Sequence, residues 1–448
     1  MSGISGWVRR IINSRIAGIV VLTFLVRAAL MGCLTRNMLQ LSVYDVGIYI
    51  DFGKKLIESL SRGDIESAAG VNVGTPPLGM LLTGISIKVF GEFLGEIEAS
   101  MLPQLVASSL TVLPIYLIAR KYSEKAATAA SILYALDPYL IQYSLTYLDA
   151  VGTLLVCLGV LIHMRGGSKK RSLIISGLLL GLAPLTKLTF LIFAVIYTLM
   201  LTILRHDRKS LLMLAVALPV LSLTPWIWFP EARAKAVEHH LSFNSYLPMV
   251  FAGPELIGVP HAHAWYVLSY LGLGQVFWNT LPMFSPLVLL FVVVYRSFRR
   301  DLSLPSLPGI AASSMILTIF LLPRNYWTYS WGGGAVQGVL TRQFYPYYFY
   351  PAGPFLAILA GILIYGAAGE PVKSRLVSYP VFLTALLSPI AVVMNLGFPY
   401  WDFIFTLIYN LSVGSWIIEG TAATIFTALL LAAILVISEK MHRKLSKS

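Results

Sequence analysis

Charge is scarce in this 448-residue chain: Asp, Glu, Lys and Arg together make up 12% of it, about half the share of an ordinary soluble domain. A water-facing surface of normal polarity is thereby excluded for most of its length. Cysteine is nearly missing as well. Cys33 and Cys157 are the only two, and both fall in apolar runs, which argues against a disulfide framework and reads them as small packing residues. No stretch longer than a loop has ordinary polarity, so no appended soluble domain is expected. The basic start followed by an apolar run over 16–34 reads as a retained first span rather than a cleaved leader.

What fills the chain instead is apolar. Hydrophobic residues reach 57% and mean hydropathy is +0.78, and apolar stretches of roughly the 17–25 residues that cross a bilayer recur from end to end. The net charge of +13 follows the loops between these stretches, as expected for a membrane protein and not for a nucleic-acid surface. Basic clusters lie at Arg9, Arg10 and Arg15, at Arg120, Lys121 and Lys125, and over 165–171, 205–209, 296–300, 373–375 and 440–447. Placing all of them in the cytoplasm satisfies the positive-inside rule and fixes the expected topology.

The chain then leaves the cytoplasm over 16–34 and returns over 101–119. The intervening region, 35–100, is expected outside, with an amphipathic helix over 47–60 and a second apolar piece, 77–90, lying along the outer surface. Further spans alternate over 126–142, 148–164, 173–186, 188–204 and 211–229. An external stretch over 230–280 follows, then spans over 281–295, 308–323, 349–368, 377–394 and 416–437. The expected architecture is an all-α, polytopic membrane domain over 1–448, with about twelve spans, juxtamembrane helices and both termini cytoplasmic. Gly332 to Gly334 read as a loop, and no internal repeat of the transporter kind stands out.

This topology gathers Asp45, Asp51, Asp137, Asp149, Lys187, His261, His263 and Arg342 at the external side. Ionisable groups at membrane depth are costly and therefore candidates for function. Asp45, in SVYDVGIYIDF, serves either as a base for an incoming hydroxyl or as the N-cap of the helix that follows. Asp137, before Pro138, and Asp149, opening the next inward span, both read as plain caps, Asp137 the more readily. Lys187, between two apolar runs, must snorkel or meet an anion. Arg342 sits among tyrosines, with Tyr345 and Tyr347 as further donors: it either grips a phosphate or snorkels among interfacial aromatics. His261 and His263 form an H-x-H pair with no second ligand cluster nearby, a weak metal signal. Most of the tryptophans and tyrosines at this face fit an aromatic belt.

Taken in order, these stretches resemble the GT-C-type membrane glycosyltransferases that use polyprenyl-phosphate sugars, the class of the protein O-mannosyltransferases and lipid A aminoarabinose transferases. The resemblance rests on Asp45 after the first span, on the PPL turn at Pro76, Pro77 and Leu78, and on LIARKYSEKAATAASILYALDPYLIQYS. It rests further on TYLDAVGTLL with Asp149, GLLLGLAPLTKLTFLI with Lys187, and RQFYPYYFYPAGPFLAILAG with Arg342. Two departures stand out: Leu145 occupies a position where relatives often carry arginine, and Val46 follows Asp45 where some have a second acid.

The resemblance implies a catalytic half over 1–229 and a variable half over 230–448. It implies inverting transfer of one sugar from a polyprenyl- or dolichyl-phosphate donor to a hydroxyl of a protein, lipid or glycan, on the extracytoplasmic face of the cell membrane. Asp45 is then the general base, and Lys187 and Arg342 meet the charge of the departing phosphate. Asp149 orients a neighbour, and His261 and His263 line the acceptor side. No cofactor and no obligatory divalent metal are implied. A secondary transporter or lipid flippase is the alternative, and would place its charges near the midplane. An oligosaccharide-transferring enzyme is chemically close, but calls for a metal site and a sizeable external domain.

Overall fold

The computed structural model describes residues 15–36, 46–71, 76–146, 148–224, 228–235, 307–320, 325–332, 335–342 and 350–365. The spans expected over 281–295, 377–394 and 416–437 lie outside these residues. Helix α1 (Arg15–Arg36) coincides with the first expected span. Helix α2 (Val46–Ser61) is amphipathic as expected: Val46, Gly53 and Leu56 are buried, while the Lys55–Asp51 pair at 2.7 Å is exposed. After the short α3 (Ile65–Gly70) comes α4 (Pro77–Leu94), where Pro77 opens the first turn, the position at which its missing N–H costs nothing.

Gly95, with φ of 92°, joins α4 to α5 (Glu96–Leu110), a left-handed junction that suits a residue without Cβ. Helix α5 continues through Thr111 into α6 (Val112–Ala119). Among the described residues, three segments are long and apolar enough to cross a membrane: α4, the continuous Glu96–Ala119 stretch and α9 (Asp149–Gly166). That α4 qualifies on length and composition is a departure from its sequence reading as a shorter surface piece. Large apolar side chains, including Val21, Leu25, Val89, Phe93 and Ile203, stand exposed. Such surface is unfavourable in water and at home against lipid.

The span expected over 126–142 is instead two helices, α7 (Glu124–Leu136) and α8 (Pro138–Thr146). Pro138 has no N–H for the carbonyl four residues back, Tyr134, so the helix breaks there. Asp137 restarts the chain as a cap, its Oδ1 accepting from Leu140 N at 2.9 Å, and this matches the plain reading of that residue. The orphaned carbonyls are met by a side chain that the sequence reading passed over. Arg27 of α1, fully buried, donates to Tyr134 O at 3.3 Å and Ala135 O at 3.2 Å, and its guanidinium lies 5.0 Å from the Tyr134 ring centroid. A cation at a helix C-terminus also meets the negative end of the helix dipole. Arg27→Met is expected to lower the unfolding free energy by roughly 1–3 kcal/mol for each carbonyl left unpaired, read from denaturant unfolding in detergent; an unchanged midpoint refutes this role.

Helices α9, α10 (Lys170–Leu182), α11 (Thr189–Leu204) and α12 (Leu211–Val220) follow. Helix α10 packs on both α9 and α12. Gly177 and Gly181 set the second contact: a Cβ at either would stand 2.6 Å from Met213 O or 2.8 Å from Ala217 O. Small residues four apart let two backbones close up in this way. Helix α13 (Leu307–Phe320) packs on α11, and α14 (Gly353–Tyr365) lies against α7. The described residues are mostly helical, as expected, with one departure. Asn325–Gly332 (β1) and Ala335–Arg342 (β2) pair antiparallel, with Asn325 opposite Arg342 and Gly332 opposite Ala335. Composition alone reads Gly332 to Gly334 as a loop among belt aromatics, yet Tyr, Trp, Thr and Val are the residues that pleated pairs favour.

Candidate active site

Helix direction sorts the charges to two ends of the bundle. Helix α9 starts at Asp149 and ends beside Arg165, α10 returns from Lys170, and α11 leads away again to Leu204 and Arg205. Its 18 residues carry α9 over about 27 Å. The turn between α10 and α11, which contains Lys187, therefore sits at the Asp149 end.

There the two residues meet. Lys187 Nζ donates to Asp149 Oδ1 at 2.9 Å and to Oδ2 at 2.7 Å, with side-chain exposures of 14% and 2%. The short 3-10 turn Ala183–Leu185, containing Pro184, ends α10, and Thr186 fastens back on it through Oγ1 to Ala183 O at 2.7 Å. Lys187 is thus held on a braced turn, and Gly152 sets how near that turn comes to α9. A Cβ at 152 would stand 2.2 Å from the Phe190 ring and 2.4 Å from Thr186 Oγ1, so any side chain there would move the turn that carries the lysine.

Asp149 opens the first turn of α9, where a carboxylate is stabilised by the positive end of the helix dipole. Gln104, on α5, supports the same helix start through Oε1, which accepts from Val151 N at 3.4 Å. Its Nε2 is buried without a hydrogen-bond partner among the described residues. Chemically this end offers a largely buried cation in a fixed position, its charge balanced by one carboxylate, at the rim of an apolar bundle.

Helix α2 closes on the same end. Val46 packs in a cluster with Met101, Leu105, Ile141 and Leu145, and Leu56 clusters with Leu148, the residue before Asp149. Asp45 itself lies outside the described residues, as do Tyr345, Tyr347, His261 and His263. Arg342 is the last residue of β2. The Asp149–Lys187 pairing was not foreseen, although each residue was singled out. Arg27 was missed altogether, and its signal was plain: an arginine in the middle of an apolar span. Arg27 belongs to a buried group, since the Tyr134 hydroxyl donates to Ser108 O at 3.0 Å and lies 3.1 Å from the Tyr350 hydroxyl. Among the described residues no group of three or more His, Cys, Asp or Glu comes together as a metal site would require.

Apolar helices with lipid-suited outer faces, and an ionic pair secured at one end of the bundle, are the features of a membrane protein. Over residues 74–229 the chain matches the dolichyl-phosphate-mannose-protein mannosyltransferase family. Pro76, Pro77, Asp149 and Lys187, on which the resemblance was drawn, all fall within this matched stretch, which is similar to the glycosyltransferases of that family. Among curated proteins, none matches the sequence.

Similar solved structures include ArnT from Cupriavidus metallidurans bound to undecaprenyl phosphate, at 16% identity and a TM-score of 0.47, covering 97% of this chain and 77% of that one. The apo oligosaccharyltransferase of Archaeoglobus fulgidus aligns at 15% identity and a TM-score of 0.46, covering 87% of this chain and 56% of that one. Both scores fall under 0.5, and the likeness rests on the family match over residues 74–229.

Proposed function

We propose that the protein is an inverting glycosyltransferase, which moves one sugar from a polyprenyl-phosphate carrier to an acceptor hydroxyl at the extracytoplasmic face. The observation that carries the reading is Lys187, a largely buried cation fastened by Asp149 at one end of the bundle, within the stretch that matches the mannosyltransferase family. A lipid donor needs an apolar groove for its tail and a fixed cation for its phosphate. In this reading the chain has about twelve spans with both termini cytoplasmic. Helix α4 stays at the outer surface, because a crossing there would carry Arg120 and Lys121 to the side opposite the amino-terminal arginines.

Asp45 takes the proton from the acceptor hydroxyl as its oxygen attacks the anomeric carbon opposite the phosphate. The bond from that carbon to the phosphate oxygen breaks, and the configuration inverts. Lys187 and Arg342 meet the charge that develops on the leaving phosphate, and Asp149 holds the ammonium in place. His261 and His263, with Tyr345 and Tyr347, line the acceptor and phosphate sides. The acceptor class, protein, lipid or glycan, is part of what the assay must resolve.

The test is transfer by the purified chain in detergent, with radiolabelled polyprenyl-phosphate mannose and polyprenyl-phosphate glucose offered in turn. Label released or transferred from either donor, with inverted configuration in the product, supports the reading. No turnover of either donor, together with movement of a lipid or solute across liposomes, replaces it with transport.

A further inference from the structure

The opposite end of the bundle holds a cavity of about 600 Å³ that the transfer reaction does not use. Met164, Leu201 and Leu307 supply apolar lining, while Arg205, Arg208 and Lys209 add three cations. None of the three forms an ion pair with a carboxylate among the described residues. The one acid among the described lining residues, Asp207, accepts a hydrogen bond from Ser168 Oγ at 2.7 Å. Next to the cavity, Lys121 donates to the carbonyl of Met164. Its ammonium is held below the usual lysine range, first by burial and then by the charge of Arg165. Positive charge is thus crowded around a recess of mixed polar and apolar lining at the end of two membrane helices, with a single carboxylate beside it among the described residues.

We propose that this cavity binds the phosphate headgroup of an anionic phospholipid. Basic pockets between membrane helices on the cytoplasmic side suit such headgroups. Arg205 and Arg208 offer forked donors to phosphate oxygens, and Lys209 adds a point charge. The apolar residues take the start of the acyl chains, which is where a lipid differs from free phosphate. The cavity lies at the far end of α9 from Asp149, so the proposal stands independently of the transfer reaction.

The purified full-length chain, in neutral detergent, is titrated separately with phosphatidylglycerol, phosphatidylcholine and inorganic phosphate. Bound lipid is counted by native mass spectrometry, and thermal unfolding is followed alongside. Saturable retention of phosphatidylglycerol over phosphatidylcholine is expected, with a rise in the unfolding midpoint that phosphate alone does not give. In R205Q/R208Q/K209Q this binding weakens roughly a hundredfold, whereas K54Q/K55Q, at exposed positions of α2, leaves it unchanged. Should the triple variant fail to fold, Arg208→Glu is judged by the same readouts. Equal retention by the charge-depleted variant overturns the site. Equal protection by inorganic phosphate overturns the lipid assignment in favour of a free anion.

Discussion

Asp149→Ala is expected to cost about 3–5 kcal/mol of stability, because it leaves the Lys187 ammonium without its counter-ion in a site only 14% exposed. Removing one partner of a buried pair is worse than removing both. The double variant Asp149→Ala/Lys187→Met should accordingly recover a large part of the loss, and Lys187→Met alone should leave a carboxylate only 2% exposed without its cation. Denaturant unfolding of the four proteins in one detergent closes the cycle. A coupling between the two sites near zero would mean that the pair contributes nothing to the fold. Asp149 also supports α9 through the helix dipole, so Asp149→Asn, which keeps size but not charge, is expected to fall between the wild type and the alanine variant.

The same comparison separates structure from chemistry. If Lys187 meets the donor phosphate, Lys187→Met lowers transfer even at a temperature where the variant is fully folded. Asp149→Asn acts on transfer only through the lysine it positions. Its mark is then a weaker grip on the donor, seen as a raised KM for the lipid-linked sugar, with kcat less affected.

How much of this was legible in the sequence differs from residue to residue. Helices α1, α9 and α11 follow from apolar length and from charge at the loops, since a bilayer leaves few ways to arrange a chain of this composition, and α2 follows from its amphipathic pattern. Asp149 and Lys187 were each legible as charges at the heads of spans. Their contact was not, because it joins residues 38 positions apart through a close approach that depends on Gly152 having no side chain. The break at Pro138 was visible as a proline after a capping aspartate, yet hydropathy averages over it and gives a single span. Arg27 is the converse case. The signal was local and clear, but a residue counted within an apolar window is not asked what it pairs with. The hairpin at Asn325–Arg342 escaped because aromatic side chains serve both a membrane interface and a pleated pair, and composition alone does not separate the two.

Asp45→Asn is expected to lower transfer by about 10²–10⁴-fold, the range over which a positioned base contributes. Asparagine keeps the size of the side chain and removes its ability to accept a proton at neutral pH. Val46 is buried against Ile141 and Leu145, the latter four positions before Asp149, so α2 begins at the end of the bundle that carries the ion pair. Asp45→Asn should lose turnover while still binding the donor. Asp45→Glu, which keeps the carboxylate but displaces it by one methylene, is expected to retain part of the rate. Transfer by folded Asp45→Asn at the wild-type rate would remove Asp45 from the reaction and return it to the simpler role of capping α2.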